Sequence, residues 1–346
     1  MRISESLLNN CLDSIIGKKY VFGIVLRVES GDGSFSWAGS RGEMDTHSKY
    51  FIASVTKLYV TAVAMSLIEE GKLSLDDKIS KYLPNDINKL HIYKGIDYSS
   101  QITVNHLISN TSGLPDYFTS TAATSLLQGQ DDSWGFDKTL QSIKQMEPKF
   151  PPGKKGKVAY SDTNYQLLGK IIETITSEDI DLVFQEYIFD KLKLCNTYVY
   201  KDVSDNTPAP FYNKDKKLWL PNYMASIGVE GGIVSTAEEV MIFIKSFFGG
   251  RIFPKNKIEE LKKWNLLFPP PSLFYYGVGL EKQPTPRFVS IRKPINEIIG
   301  FWGQTSSFAW YNPDTDLYFT GTANQANGSG HSAVGKAMFK IIKSVL

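Results

Sequence analysis

The sequence is poor in the residues that build disulfide frameworks and metal sites. It contains two cysteines, Cys11 and Cys195, and four histidines among 346 residues. Two cysteines so far apart do not form a disulfide framework, and no cluster has the spacing typical of zinc ligands. We therefore predict no metal and no cofactor, and we interpret all four histidines, including His106 and His331, as structural.

Long apolar runs and an excess of one charge are also absent. No stretch approaches the roughly 18 apolar residues of a membrane-spanning helix, so no membrane span is predicted. Residues 1–8 carry polar and acidic side chains where a signal peptide needs an apolar core. We expect a cytoplasmic protein, or a periplasmic or extracellular one if an export signal has been removed. The formal net charge is only +2, and the basic cluster at residues 154–157 is typical of a solvated loop, so we predict no nucleic-acid partner.

The remaining composition is that of an ordinary globular protein, with 42% hydrophobic and 21% charged residues. Strand patterns occur near both chain ends, at residues 20–28 and 34–38 and again at 308–311 and 317–322. Helical patterns dominate the middle. This order predicts an α/β (α+β) fold in which one antiparallel sheet is built from both chain ends and flanked by helices. An all-helical subdomain is predicted as an insertion.

The domain prediction follows from the same pattern. We predict a single domain over residues 1–346. Its sheet-containing lobe is expected to comprise residues 1–74 and 221–346, and its mainly helical lobe residues 75–220.

The stretch at residues 51–57, Phe-Ile-Ala-Ser-Val-Thr-Lys, is followed by an apolar run over residues 58–68. If a helix begins near Ser54, the side chains of Ser54 and Lys57 share one helix face. A serine hydroxyl is a poor nucleophile unless a base takes its proton, and a lysine buried among apolar groups can lose its charge and help. The alternative is a helix-terminal serine beside a lysine that extends to solvent.

A second serine and lysine with this spacing, Ser290 and Lys293, is interpreted as chance. Pro294 follows Lys293 and disfavours the helical conformation of that lysine. The two side chains are therefore not expected to share a helix face.

A tyrosine at the start of another predicted helix makes the pair of Ser54 and Lys57 a more specific indication of a catalytic site. Tyr160, Ser161 and Asp162 precede an apolar-periodic stretch, although such a tyrosine could be only a packing residue. Together with Ser54 and Lys57, this pattern resembles the serine beta-lactamase and penicillin-binding-protein superfamily. The similar branch holds class C beta-lactamases, D-alanyl-D-alanine carboxypeptidases and related esterases. Further matching stretches lie, in order, at residues 102–107, 111–115 and 231–236 and in the final hairpin.

The resemblance implies a beta-lactamase/transpeptidase-like fold and three catalytic residues. Ser54 would be the nucleophile, and Tyr160 with Lys57 would form the base, with the choice between the two left open. Backbone amides of Ser54 and of the residue after the third motif would form the oxyanion hole. Asp162 replaces the usual asparagine of the tyrosine motif and could instead pair with Lys57.

The third motif departs from the family pattern. Phe301-Trp302-Gly303 stands where the family usually has a lysine or histidine, and Gln304 then takes the oxyanion position. We predict that Asp162 and these four residues contact the substrate. An aromatic residue in place of a cation favours a neutral acyl or alkoxy group over a carboxylate, although Arg287 or Arg292 could replace the missing charge.

These features predict a serine hydrolase that acts through an acyl-enzyme on a carboxylic ester or small amide. The partner is therefore a small-molecule substrate, and the oligomeric state is left open. One alternative is a D,D-peptidase or beta-lactamase. Another is a non-catalytic binding module with the same fold.

Overall fold

The computed structural model describes residues 3–85, 87–270, 272–285 and 294–346. The α-helices are α1 (Glu5–Ile16), α2 (Thr56–Glu69), α3 (Val104–Ile108), α4 (Ser120–Leu127), α5 (Phe136–Ile143), α6 (Asp162–Thr176), α7 (Ile180–Phe184), α8 (Asp190–Leu192), α9 (Pro221–Ser226), α10 (Ala237–Gly249), α11 (Ile258–Leu261) and α12 (Ser329–Val345). Short 3₁₀ turns lie at Ala53–Val55, Ile79–Lys81, Ser99–Gln101 and Lys255–Lys257, and a π-helical turn lies at Gln185–Phe189.

The strands are β1 (Gly23–Ser30), β2 (Ser36–Gly42), β3 (Tyr50–Phe51), β4 (Ile92–Tyr93), β5 (Ile96–Asp97), β6 (Tyr198–Val199), β7 (Phe211–Asn213), β8 (Lys216–Leu218), β9 (Ile233–Ser235), β10 (Asn265–Phe268), β11 (Phe274–Tyr276), β12 (Glu281–Lys282), β13 (Ile299–Trp302), β14 (Ser307–Asn312) and β15 (Leu317–Thr322). The predicted hairpin near residue 312 is observed as β14 and β15.

The main sheet is built from both ends of the chain. Within the described ranges it has eight strands in the order β10-β11-β12-β13-β14-β15-β1-β2, and every neighbouring pair is antiparallel. The last strand of the chain pairs with the first, with Val25 opposite Thr322. The predicted fold class is confirmed by this sheet and by the similarity to solved structures described below.

Helices cover both faces of the sheet because alternate residues of its central strands are buried on opposite sides. In β14, Phe308 and Trp310 join a core formed with α1 and α12, whereas Ala309 joins the larger core around α2 and α10. Helix α2 lies inside that larger core, and every residue from Thr56 to Leu67 is buried. The predicted central core helix is therefore observed.

The strands of the large sheet come from residues 23–42 and 265–322, and helices α3 to α8 come from residues 104–192. This distribution has the order expected for the two lobes. The division into lobes at residues 75 and 220 stays a prediction. No helix in the described part of the chain is long and apolar enough to cross a bilayer.

Candidate active site

Ser54 lies in a single 3₁₀ turn that leads into α2. The helix itself begins two residues after the predicted start. Ala53 has a φ of +46°, a left-handed conformation that is costly for a residue with a Cβ. Both Ala53 and Val55 are buried, whereas Ser54 is partly exposed. The strained turn thus presents the Ser54 hydroxyl to a cleft while its neighbours anchor the backbone.

Lys57 is completely buried in the first turn of α2, three residues after Ser54. Its Nζ donates to Ser54 Oγ at 3.0 Å and to the backbone oxygen of Glu230 at 2.8 Å. The same atom forms an ion pair with Asp162 Oδ1 at 2.7 Å. The structure therefore contains the pair of Lys57 and Asp162 that the sequence analysis considered.

Tyr160 approaches Ser54 from the loop in front of α6. Its Oη donates to Ser54 Oγ at 2.9 Å. Burial, followed by the carboxylates of Asp162 and Glu281, raises the pKa of Tyr160 well above its usual value. In the resting state Ser54 Oγ thus accepts hydrogen bonds from a neutral phenol and from Lys57 Nζ. The phenol must lose its proton before it can take the proton of Ser54.

The end of β13 packs against the turn that carries Ser54. A Cβ on Gly303 would lie 2.4 Å from the backbone oxygen of Ile52, so only glycine fits this approach. Thr305 Oγ1 donates to the oxygen of Phe51 at 3.1 Å, and Ser307 Oγ donates to that of Ile52 at 2.6 Å. Residues 303–307 are therefore fastened to the segment just before the nucleophile.

The four third-motif residues have different positions. Trp302, Gly303 and Gln304 line the cleft, as predicted. Phe301 does not line it: its side chain has no exposed surface and packs behind Tyr160, with 6.5 Å between the ring centroids. The expectation of substrate contact by Phe301 is wrong because successive residues of a strand face opposite sides, and Trp302 takes the cleft side.

The cleft, of about 390 Å³, also contains carboxyl groups that the sequence analysis did not single out. Asp162 is joined by Asp116, Glu230 and Glu281. Burial raises the pKa of Asp116 to about 7, with the charge of Asp162 adding to the effect. Burial also raises the pKa of Glu281 to about 8 and that of Glu230 well above its usual value. Within the described ranges no group of acids, histidines and cysteines is arranged to hold a metal ion.

The charge in this cleft has one sign. Among the described residues that line it, none is lysine or arginine. Lys57 lies behind Ser54 with no exposed surface. Arg287 and Arg292, considered as replacements for the missing cation, lie outside the described residues, as does the pair of Ser290 and Lys293. A substrate group that enters this cleft therefore meets carboxyl groups.

Two backbone donors also face no acceptor. The N–H groups of Ser54 and Gln304 have no hydrogen-bond partner among residues 3–85, 87–270, 272–285 and 294–346. These are the two amides expected to form an oxyanion hole. Both residues line the cleft.

Comparison with known proteins agrees with this geometry. The sequence profile of the beta-lactamase family matches residues 20–339. The chain belongs to the beta-lactamase family. A solved D-stereospecific amidohydrolase from Streptomyces sp. is 25% identical, with a TM-score of 0.82 over 97% of this chain and 98% of its own. The D-amino acid amidase from Ochrobactrum anthropi SV3 is 20% identical, with a TM-score of 0.78 over 98% and 100% of the two chains, and shows the same fold.

A curated relative is matched over a shorter region. A putative D-alanyl-D-alanine carboxypeptidase of Escherichia coli K12 is 33% identical over 155 residues, which are 44% of this chain. The alignment covers 34% of that relative, so the chain spans about a third of the length of the curated protein it matches. These similarities show the family and the fold of the chain.

Asp162 gives this beta-lactamase-family site a testable electrostatic feature. Its carboxylate raises the pKa of Tyr160 and lies 2.7 Å from Lys57 Nζ. Replacement by a neutral amide therefore makes loss of a proton from the tyrosine easier. We expect Asp162→Asn to move the acid limb of the kcat/KM profile to lower pH, by on the order of one pH unit, with a neutral ester as substrate.

The matched control is Glu173→Gln, which removes a carboxylate from the same helix where it pairs with Lys170 at the surface. This control should leave the acid limb unmoved. An acid limb that stays in place or moves to higher pH in Asp162→Asn would contradict the role assigned to Asp162.

Proposed function

We propose that the chain hydrolyses amides or esters of amino acids that carry a free ammonium group, through an acyl-enzyme on Ser54. The observation that supports this substrate class is the set of carboxyl groups in a cleft whose described lining has no lysine or arginine. The named activities of the amidohydrolase and the D-amino acid amidase agree with an amide substrate of this kind.

The contacts around Ser54 support a two-step reaction. The oxygen of Ser54 would attack the substrate carbonyl while the deprotonated pair of Tyr160 and Lys57 takes the proton. The N–H groups of Ser54 and Gln304 would stabilise the resulting oxyanion. The pair would then protonate the leaving amine or alkoxide as the carbonyl bond to it breaks. A water molecule, activated by the same pair, would release the acid and restore Ser54.

The electrostatic argument rests on the raised pKa values of the cleft acids. Asp116, Glu230 and Glu281 resist ionisation because they are buried, and for the first two the charge of Asp162 adds to this. Glu230 Oε2 has no hydrogen-bond partner within the described ranges. A bound ammonium group would favour ionisation of these acids and gain their charge, whereas a substrate carboxylate would oppose their ionisation and gain no such charge pair. Loss of one partner from a close charge pair in a shielded site costs about 2–5 kcal/mol, or about 1.5 to 3.5 decades in specificity.

The sequence pattern predicts a preference for neutral substrates, and the cleft extends this to cationic ones. Both expectations share one consequence, which is poor turnover of substrates that must be held by a carboxylate. The D,D-peptidase and beta-lactamase alternatives therefore remain the competing hypotheses. The curated relative's name agrees with the first of them.

The test compares two substrates that differ only in the ammonium group. We expect kcat/KM for an amino-acid p-nitroanilide, with either D or L configuration, to exceed that for its N-acetyl derivative by about 10-fold or more. Nitrocefin and an N-acylated D-alanyl-D-alanine peptide, assayed on the same preparation, should be poorer substrates still. Equal turnover of the free and acetylated amines, or efficient turnover of either anionic substrate, would contradict the proposal.

A variant connects the preference to the cleft. Asp116 accepts the N–H groups of Asp162 and Phe118 through Oδ1, which an asparagine oxygen can also do. We expect Asp116→Asn to lower the ratio between the two substrates while it leaves hydrolysis of the acetylated one within about threefold. An unchanged ratio would mean that this acid does not contribute to ammonium binding.

The non-catalytic alternative is tested without a substrate. A fluorophosphonate reacts covalently with an activated serine, so the intact protein should gain the mass of one adduct on Ser54. A protein that stays unlabelled while folded would support a binding module instead.

A further inference from the structure

We propose that His331, in the first turn of α12, is a positioning residue that holds the Gly303–Gln304 peptide group in place as an oxyanion donor. This inference rests on the proposed function and concerns the same site. The sequence analysis interpreted all histidines as structural, and no family motif named above includes this one. In the folded structure, the packing of α12 against the end of β13 places the His331 side chain next to Gly303.

The contacts of His331 are with backbone and hydroxyl groups of the third-motif turn. Its Nε2 lies 2.8 Å from the backbone oxygen of Gly303, and its Nδ1 lies 3.1 Å from Ser306 Oγ. The ring also packs at 5.1 Å from the ring of Trp302. His331 therefore touches both sides of the turn that carries Gln304.

The hydrogen-bond partners decide which nitrogen carries the proton. A carbonyl oxygen can only accept, so Nε2 must donate to Gly303. Burial lowers the pKa of His331, which favours the neutral ring with one proton. Nδ1 then carries no proton, and Ser306 Oγ lies beside it while donating its single proton to the backbone oxygen of Gln325. The ring is thus held by the hydrogen bond from Nε2 to the Gly303 carbonyl and by packing against Trp302 and Ser306.

The planar Gly303–Gln304 peptide group connects the contact at His331 with the cleft beside Ser54. In a trans peptide the C=O and the following N–H lie in one plane and point in opposite directions. Fixing the Gly303 oxygen towards His331 therefore points the Gln304 N–H away from His331. That N–H has no acceptor in the described part of the chain, and Gln304 lines the cleft beside Ser54.

The donated hydrogen bond has a second effect. Hydrogen bonds in series polarise one another, so donation to the Gly303 oxygen makes the Gln304 N–H a better donor. The remaining clamps, from Thr305 and Ser307 to residues 51 and 52, fix the distance of the turn from Ser54. They do not bond the Gly303 oxygen, which leaves its orientation to His331.

An oxyanion donor acts in the transition state more than on the bound substrate. We expect His331→Phe, which keeps a ring but no donor, to lower kcat by about 10- to 100-fold with KM within about threefold. Inhibition by a phenylboronic acid, whose adduct with Ser54 places an oxygen among the same amides, should weaken by a similar factor. His331→Gln can place an amide N–H near the same carbonyl and should recover most of the lost kcat.

His91 provides a matched control. It is fully buried, its Nε2 lies 3.0 Å from the backbone oxygen of Phe150, and it does not line the cleft. Both phenylalanine variants lose a buried bond between histidine and a carbonyl oxygen. His91→Phe should lower the melting temperature without a change in kcat of more than about threefold.

The outcomes separate this inference from the proposed function. A wild-type enzyme that turns over its substrate and a folded His331→Phe variant with unchanged kcat and boronate affinity would overturn the positioning role and leave the function intact. A wild-type protein that neither hydrolyses substrate nor reacts with fluorophosphonate would overturn both. If His331→Phe fails to fold, Ser306→Ala tests the same point by removing the side chain that packs beside Nδ1 and helps to fix the ring. That variant should lower kcat about 3- to 10-fold, and an unchanged kcat would overturn the inference.

Discussion

Replacement of Ser54 by alanine is expected to lower hydrolysis of every substrate by about 10⁴-fold or more, because no acyl-enzyme can form without the hydroxyl. Ser54 Oγ is the atom on which the contacts from Lys57 and Tyr160 converge. The initial burst of leaving group and the fluorophosphonate adduct should disappear together with turnover. The melting temperature should change little, since the side chain is partly exposed and a methyl group fits in its place.

The matched control for this variant is Ser66→Ala. Ser66 lies in α2, the helix that follows Ser54, where its Oγ donates to the backbone oxygen of Ala62, and it is outside the cleft. This control should keep full turnover and full labelling. Retention of the burst or of the labelling in Ser54→Ala would show that another residue is the nucleophile.

The contact between Ser54 and Lys57 could be predicted from the sequence because its geometry is local. Ser54 and Lys57 are three residues apart at the start of an apolar helix, and the 3.6-residue period alone brings their side chains together. The strands near both chain ends could be predicted for a similar reason, since their alternation and turn residues lie within a short window. In such cases short-range periodicity determines which side chains meet.

The cleft acids could not be predicted because four separate segments bring them together. Asp116 follows α3, Asp162 begins α6, Glu230 precedes β9 and Glu281 begins β12. Of these, the departure from the family's tyrosine motif indicated Asp162 alone, and its pairing with Lys57 was among the alternatives. No local pattern distinguishes Glu281 from a solvated glutamate, and its burial depends on the register between β12 and β13.

The side chain of Phe301 shows a second feature that could not be predicted from the sequence, namely which face of the strand it occupies. The motif comparison located the strand correctly, but it did not decide which residue of the strand faces the substrate. Side chains of a strand alternate between its two faces, so a shift of one residue exchanges the buried and exposed positions. The observed register places Trp302 at the cleft and Phe301 behind Tyr160.

Replacement of Tyr160 by phenylalanine is the second large effect that we expect, with turnover lower by about 10²- to 10⁴-fold, the usual contribution of a positioned acid or base. The variant keeps the ring, which packs against Phe301 and lies 5.2 Å from Lys57 Nζ, and removes the hydroxyl that donates to Ser54. Folding should therefore be retained. Because Tyr160 Oη bonds Ser54 Oγ directly, loss of the phenol removes the acceptor expected for the proton of Ser54.

Tyr165→Phe is the control for Tyr160→Phe. The Tyr165 ring lies 5.3 Å from the same Nζ, but its hydroxyl bonds that of Tyr276 at 2.8 Å and does not reach Ser54. Loss of this hydroxyl removes a buried hydrogen bond and should cost about 1 kcal/mol of stability, with turnover within about threefold of the wild type. If Tyr160→Phe also stays within threefold, the phenol is not the proton acceptor. Lys57 would then have to lose its proton despite the ion pair with Asp162, and the acid limb of the pH profile would report the ionisation of that lysine.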